Sequence, residues 1–343
     1  MKALIKARPE PGATLAEMEL PKIQNDEVLV EVKSAAVCGT DVHFFQWDST
    51  AANFPVHLPL ILGHEYSGDV IEVGQDVEGI SVGDRVSVET HVPCGKCYSC
   101  GIGNGHNCQD MKLVGINYPG AFARYATAPS HVVYRLPAGV TYEEGSLFEP
   151  AGVAMRGIDE AHISPGDTVV ILGCGPIGLV AAQMAPAVGA TQVVAIDVND
   201  FRLKMAHAMG AQTLNPLRDN VAEQVRRISG RRGGADVVLE ISGAPEVYDY
   251  LFDLLRSEGR VVTIGHVSRP ISLNVSRQIN LKGVSLKGVF GRRIWETWEH
   301  LSSLVAAKRI DLSAVITHRF PLEAYEEAFA QAHGRAGKIL FVP

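Results

Sequence analysis

The stretch GDTVVILGCGPIGLVAAQMAPAVGATQVVAIDVND, residues 166–200, restricts the fold more than any other part of the chain. TVVIL is an unbroken apolar run, as suits a strand buried on both faces of a parallel sheet. It leads directly into Gly173, Gly175 and Gly178, spaced G-x-G-x-x-G. Glycines at that spacing permit a tight turn, close approach of the backbone to a pyrophosphate, and close packing of the next helix on the strand. The helix itself begins with free backbone N–H groups that suit an anion. A second apolar run, QVVAI, ends in Asp197, about 20 residues past the last glycine, where a ribose-binding acid belongs. The glycine spacing alone is a weak signal. Strand, glycines, helix, strand and terminal acid in this order make a specific one, and they predict a dinucleotide site. Cys174 reads as a small turn residue, and Pro186 predicts a kink. ADVVLEISGAP at 235–245 and GRVVTIG at 259–265 extend the same sheet.

Asp197 also bears on which dinucleotide. Its carboxylate can accept hydrogen bonds from both ribose hydroxyls of NAD. The 2′-phosphate of NADP would bring roughly −1.5 to −2 charges beside it. Like charges at about 4 Å repel by several kcal/mol at an effective dielectric of about 20. Arg202 is the residue that could accommodate such a phosphate, but Asp197 is expected to prevail, so NAD is expected.

HVPCGKCYSCGIGNGHNC, residues 91–108, holds four of the six cysteines. Nothing in MKALIKARPEPG reads as a secretory signal, so a reducing cytoplasm is the expected compartment. There, clustered cysteines bind metal more often than they pair. Cys94, Cys97, Cys100 and Cys108 suit a tetrahedral Zn²⁺, and a four-thiolate site has no open position, so it should be structural. Cys38 in AAVCGTDVH, with His64 and Glu65 in LGHEYSGDV, offers a second set with a position left open. Alone, that set is also compatible with ordinary packing and with Glu65 lying outside the ligand shell.

The chain has 343 residues, enough for two cores. Its net charge of −7 and lack of a basic stripe argue against nucleic acid, and RRISGRRGG at 226–234 reads as a solvated loop. No apolar run is long enough to span a membrane. Residues 1–150 show short strands (ALIKA, EVLVEVKSA, YSGDVIEVG, DRVSVE, HVVYRLP) between Gly, Pro and Asp, the pattern of an irregular β-barrel. Residues 151–290 form the dinucleotide-binding part. From 291 on, WETWEHLSSLVAAKRI reads as an amphipathic helix, and VITHRF and KILFVP as strands returning to the barrel.

CGTDVH, GHEYSG, GDRV, the four-cysteine loop and GCGPIG together resemble the zinc-dependent medium-chain alcohol dehydrogenases. CGTDVHFFQWD, ISGAP, GRRIWETW and ITHRF bring the resemblance closest to the L-threonine 3-dehydrogenases. The resemblance implies an α/β protein: a GroES-like catalytic domain (1–150 and 291–343) and a Rossmann doubly wound parallel sheet (151–290). It implies NAD, one catalytic and one structural zinc per subunit, and a homotetramer. By motif, Cys38, His64 and Glu65 would hold the catalytic zinc, and Cys94, Cys97, Cys100 and Cys108 the structural one. Thr40 and His43 would relay the proton, with Glu149 beside the metal assisting; whether Glu65 or Glu149 ligates at rest stays open. Ile177, Asp197, Arg202, Ile264, Gly265, His266, Val289 and Phe290 would line the NAD site. His91 and Trp47 stand at positions matching the threonine enzymes, and Arg292 and Arg293 could face a substrate carboxylate.

One segment departs from the family pattern. After EEGSLFEP the chain reads AGVAMRG, with Val153 where the threonine enzymes carry Asn and Arg156 where they carry His or Asp. That leaves a polyol or sugar-acid dehydrogenase as the alternative substrate reading. An inactive, zinc-stabilised binding protein is a third reading, opposed by the intact Cys38, His64, Glu65 and Asp197.

Overall fold

TVVIL forms the strand Thr168–Leu172, every residue of it buried. It lies inside a six-stranded sheet in the order Gln212–Leu214, Gln192–Ile196, Thr168–Leu172, Ala235–Glu240, Leu255–Thr263, Ser285–Gly288. All five neighbouring pairs are parallel. Val170, Leu172, Val194, Val238 and Val261 share a core with Val225 and Leu251 from the covering segments. Apolar residues run on through Thr168–Leu172, Gln192–Ile196 and Ala235–Glu240 because these inner strands are covered on both faces, whereas the edge strand Ser285–Gly288 is exposed throughout. Pro186 sits in the last turn of the helix Pro176–Ala187.

The computed structural model describes residues 1–332 and 334–343. The chain divides into residues 1–150 with 312–343, and residues 151–311. The boundary therefore falls at 312, where the sequence reading put it at 291. The helix Glu296–Ala306, with Trp298 and Leu301 buried, groups with the central unit. A Cβ on Gly152 would stand 3.4 Å from Trp298 Nε1. RRISGRRGG is also less loop-like than expected. Its start completes the amphipathic helix Val221–Ser229, and Arg232 pairs with buried Asp236.

The terminal unit is built on a seven-stranded sheet. Its order is Val133–Arg135, Arg85–Val88, Glu65–Val73, Glu27–Ala36, Lys338–Phe341, Ile316–Phe320, with Tyr125–Pro129 also paired to Glu27–Ala36. Val28, Val30 and Val32 alternate along the central strand and pack with Phe44, Tyr66, Phe122 and Phe341. The returning C-terminal strands do join this sheet. The antiparallel registers set Ala36 opposite both Glu65 and Leu340, and Val37 N–H donates to Ile339 O at 2.9 Å. Continuing that register places Lys338 opposite Cys38. Three chemically active side chains thus collect at one end of the sheet from distant parts of the chain. Among the described residues, no helix is long and apolar enough to cross a membrane.

Candidate active site

Cys38 stands at the N-cap of the helix Gly39–Gln46, just past the central strand. His64 immediately precedes the neighbouring strand Glu65–Val73, which Glu65 begins. Single donor atoms of Cys38, His64 and Glu65 all lie within 4.8 Å of one another. Asp41 organises them, a residue that the sequence reading passed over. It is 1% exposed; its Oδ2 accepts from Cys38 N–H at 2.9 Å and its Oδ1 from Gly63 N–H at 3.2 Å. Oδ1 also lies 3.5 Å from His64 Nδ1. An Nδ1–H facing Asp41 leaves Nε2 as the imidazole atom free to ligate, the usual arrangement of a metal-binding histidine. The spacing of Asp41 from Cys38, an acid three residues past an N-cap, was the available signal.

Lys338 is the second unanticipated member. It is buried and pairs directly with Glu65 Oε2. Burial pushes the Glu65 carboxyl up and Glu149 adds to that, while Lys338 and His64 pull it back. Burial works to lower the Lys338 pKa, but Glu65, Cys38 and Glu149 outweigh it and hold it above the ordinary value. Burial opposes a charged His64 as well, yet Asp41 and Cys38 raise its pKa well above that of a free imidazole. A buried pocket this rich in anionic groups favours cations, and a thiolate, an imidazole and a carboxylate are donors that zinc accepts. Glu149, 7% exposed, lies in the first turn of the helix Phe148–Ala161.

Thr40 and His43 lie one turn apart on the helix Gly39–Gln46, both half-buried. His43 Nδ1 is 2.5 Å from Asp48 Oδ2. Asp48 in turn caps the helix Ser49–Ala52 through the N–H groups of Thr50 and Ala51. Trp47 closes the first helix with φ 51°, and Lys6 Nζ lies 5.2 Å over its ring. His91, 7% exposed, has its Nδ1 3.0 Å from Glu89 Oε1, which also accepts the His91 N–H.

The four-cysteine loop is compact. Cys97 Sγ is 3.5 Å from Cys100 Sγ and 3.8 Å from Cys108 Sγ, far beyond a disulfide bond, and all six cysteines are free. Four sulfurs bound tetrahedrally at about 2.3 Å lie about 3.8 Å apart, so the loop fits zinc. Backbone N–H groups aimed at sulfur lower the Cys94 pKa and bring that of Cys97 down to about 6. Burial and the neighbouring thiols push Cys100 up to about 12. A divalent ion would relieve that crowding of charge.

In the central unit the glycine turn has the expected form. Gly173 takes φ 97°, and a Cβ on Gly178 would meet Gly173 O at 1.9 Å. Gly175, the N-cap of the helix Pro176–Ala187, has nothing within 4 Å of its Cβ direction, which leaves room for a phosphate. Asp197 is held from both sides: Oδ2 accepts from Cys174 N–H at 2.6 Å and Oδ1 from Asn199 N–H at 2.7 Å. Ile177 is in the first turn of the glycine-turn helix, and Arg202 is on the helix Asp200–Ala208. Ile264, Gly265 and His266 follow one strand and Val289 and Phe290 the next, with the His266 and Phe290 rings 6.4 Å apart.

The segment around Arg156 is closed by ion pairs. Arg156, 7% exposed, meets Glu160 at 2.6 Å; Arg293 lies 3.6 Å from Glu160 and 3.2 Å from Glu296. Arg292 is 2% exposed, its stem packed on Gly152. Arg293 thus already has carboxylate partners of its own.

Residues 24–138 match the family described as alcohol dehydrogenase GroES-like domain, and residues 176–307 that described as zinc-binding dehydrogenase. The chain belongs to the zinc-dependent medium-chain alcohol dehydrogenase family. It is 38% identical to the L-threonine 3-dehydrogenase of Bacillus subtilis (strain 168), covering 100% of this chain and 99% of that one. Against the L-threonine 3-dehydrogenase of Pyrococcus abyssi it is 39% identical, covering 100% and 98%. Among solved structures, galactitol-1-phosphate dehydrogenase from Escherichia coli superposes with a TM-score of 0.91 at 28% identity, covering all of both chains. A protein of Sinorhizobium meliloti 1021 with NADP bound gives 0.92 at 28%, covering 100% and 99%.

Proposed function

We propose that this chain oxidises a small polar secondary alcohol with NAD as hydride acceptor, and that the alcohol is L-threonine, giving 2-amino-3-ketobutyrate. The observation that carries the reading is the gathering of Cys38, His64 and Glu65 in a chain that matches L-threonine 3-dehydrogenases from end to end. In this reading Cys38, His64 and Glu65 hold the catalytic zinc, and Cys94, Cys97, Cys100 and Cys108 the structural one. Bound there, zinc would lower the pKa of the substrate hydroxyl as a Lewis acid, and NAD would take the hydride. The chain's own part is to orient the alcohol and carry its proton away. Thr40 takes the proton and passes it to His43, whose half-exposed ring releases it to water. Glu149 assists from inside the pocket. The working assembly would be a cytoplasmic homotetramer.

Asp197 supports NAD. With one backbone N–H on each oxygen the carboxylate cannot swing away, so a 2′-phosphate would meet a fixed negative charge. The polyol reading has support of its own. Arg293 is engaged by Glu160 and Glu296, and Val153 and Met155 offer an amino acid no polar partner. The deciding experiment assays a panel of secondary alcohols with NAD⁺ and with NADP⁺, following the reduced cofactor by absorbance. Threonine with NAD⁺ is expected to give the highest kcat/KM, by at least about tenfold over NADP⁺. Turnover of xylitol, sorbitol or a tetritol, with none of threonine, replaces threonine by a polyol.

A further inference from the structure

A buried carboxylate stands at the point where the parallel sheet reverses its chain order. The chain runs outward from Thr168–Leu172 through Gln192–Ile196 to Gln212–Leu214 on one side, then crosses to the other side, beginning with Ala235–Glu240. Ligands of such sheets bind beyond the strand C-termini at this reversal. Glu240 is the last residue of its strand, in register with Leu172 on one side and Thr263 on the other. It is 0% exposed.

The hydrogen bonds at its Oε1 and at its carbonyl run to loops at the cofactor edge. Oε1 accepts from Ser242 Oγ–H at 2.6 Å and from Gly243 N–H at 2.9 Å. The Glu240 carbonyl accepts from the N–H groups of Ile264 at 2.7 Å and Gly265 at 3.0 Å. These loops touch through backbone. A Cβ on Gly173 would lie 2.8 Å from Ser242 Cα, one on Gly243 would lie 2.6 Å from His266 O, and one on Gly265 would lie 2.3 Å from Gly243 N. With no side chains between them to absorb a shift, a displacement of the Ser242–Gly243 turn passes directly to Gly173 and Gly265.

The residue type is informative. The adjoining strands end in Leu172 and Thr263, so the sheet itself does not require an acid there. Burying a carboxylate costs free energy unless hydrogen bonds offset it. Here the bonds at Oε1 contribute to that offset, and they hold the turn facing Gly173. We propose that Glu240 is a positioning residue for the dinucleotide: its carboxylate fixes the Ser242–Gly243 turn against the glycine turn, and so sets the shape in which that turn receives the cofactor. It touches no reacting atom. The proposal rests on the dinucleotide reading of this edge.

The test uses the full-length, zinc-loaded protein and three variants. NADH binding is titrated by fluorescence, and KM for NAD⁺, kcat, zinc content and the thermal midpoint are measured alongside. Glu240→Gln keeps an acceptor at Oε1 and is expected to bind NADH within about threefold of the parent. Glu240→Ala removes the acceptor, and Glu240→Asp withdraws it by one methylene. Both are expected to weaken NADH binding by at least about tenfold, roughly 1.4 kcal/mol. KM for NAD⁺ should rise with them, while kcat at saturation and zinc content stay near the parent values. Should the alanine variant fail to fold, the aspartate variant carries the comparison. Unchanged NADH affinity in the alanine or aspartate variant overturns the proposal. So does an equal loss in the glutamine variant, because rescue by an uncharged acceptor is what positioning requires. A parent protein that binds neither NADH nor NADPH removes the dinucleotide reading itself.

Discussion

Asp41, Lys338 and Asp236 show what single residues do when their partners come from distant parts of the fold. Asp41 links the Cys38 backbone, the Gly63 backbone and the His64 ring, so one carboxylate sets the spacing of two expected ligands. Lys338 neutralises part of a pocket in which Glu65 and Glu149 would otherwise repel. Asp236, 1% exposed, does comparable work in the central unit. It accepts from Thr168 N–H at 2.8 Å and pairs with Arg256 at 2.6 Å and with Arg232. Burial pushes its pKa up, but those donors prevail and hold it below the ordinary carboxylate value. A depressed folded pKa means that the unfolded chain takes up the proton first as acid is added. Its stabilisation is therefore complete above the unfolded pKa of about 4 and is lost as pH falls from there through the folded value. Asp236→Asn should cost roughly 1–3 kcal/mol at pH 7. In urea unfolding at a series of pH values, that difference should shrink below about pH 4. A difference that stays constant down to pH 2 would remove the charge from the account.

At the scale of elements, the glycine turn and the metal loop were both legible, because each is written in a short run of sequence. A strand, a turn and a helix placed end to end leave few ways to pack, and Gly178 shows how few. In a helix interior, alanine is favoured over glycine by about 1 kcal/mol. At Gly178 a Cβ would press on Gly173 O at 1.9 Å, a backbone atom that cannot rotate aside. Overpacking costs about 1–3 kcal/mol and should win. Gly178→Ala is expected to lower the unfolding free energy by up to roughly 2 kcal/mol in the cofactor-free protein. It should also weaken NADH binding, since the helix start moves off the turn. A variant as stable as the parent with the same NADH affinity would show that the turn has slack. The helix Glu296–Ala306 was legible as an amphipathic helix but not in its allegiance. An apolar face shows that a helix packs, not which core it packs into; here Trp298 lies against Gly152 of the central unit.

For the molecule as a whole, two donor sets of different character predict two metals of different lability. Cys94, Cys97, Cys100 and Cys108 would fill a tetrahedral shell completely, whereas Cys38, His64 and Glu65 leave a position for exchange. Freshly purified protein should carry two zincs per chain. A chelator should remove one of them first, and enzymatic activity should leave with that ion while the second is still bound. Elemental analysis alongside activity during dialysis checks this. Full activity with one zinc or none would overturn it.

The sequence by itself determined what is local: the parallel-sheet strand with its glycine turn, Asp197 at the next strand end, and the cysteine loop. Each depends on spacing within a few tens of residues, which backbone geometry converts almost directly into structure. Cys38, His64 and Glu65 were named as ligands through the family motifs they stand in, since their spacing alone fits ordinary packing as well. Tertiary structure alone decided the partners of the buried charges. Lys338 meets Glu65 only because the last strand enters the sheet beside Glu27–Ala36 in one register, and a lysine opening an apolar strand carries no sign of its partner. Glu240 reads in the sequence as an acid closing an apolar run, and only the stacking of three loops gives it a role. The cost of burying a charge is met by whichever groups the completed fold brings near, and no short stretch of the chain contains that information.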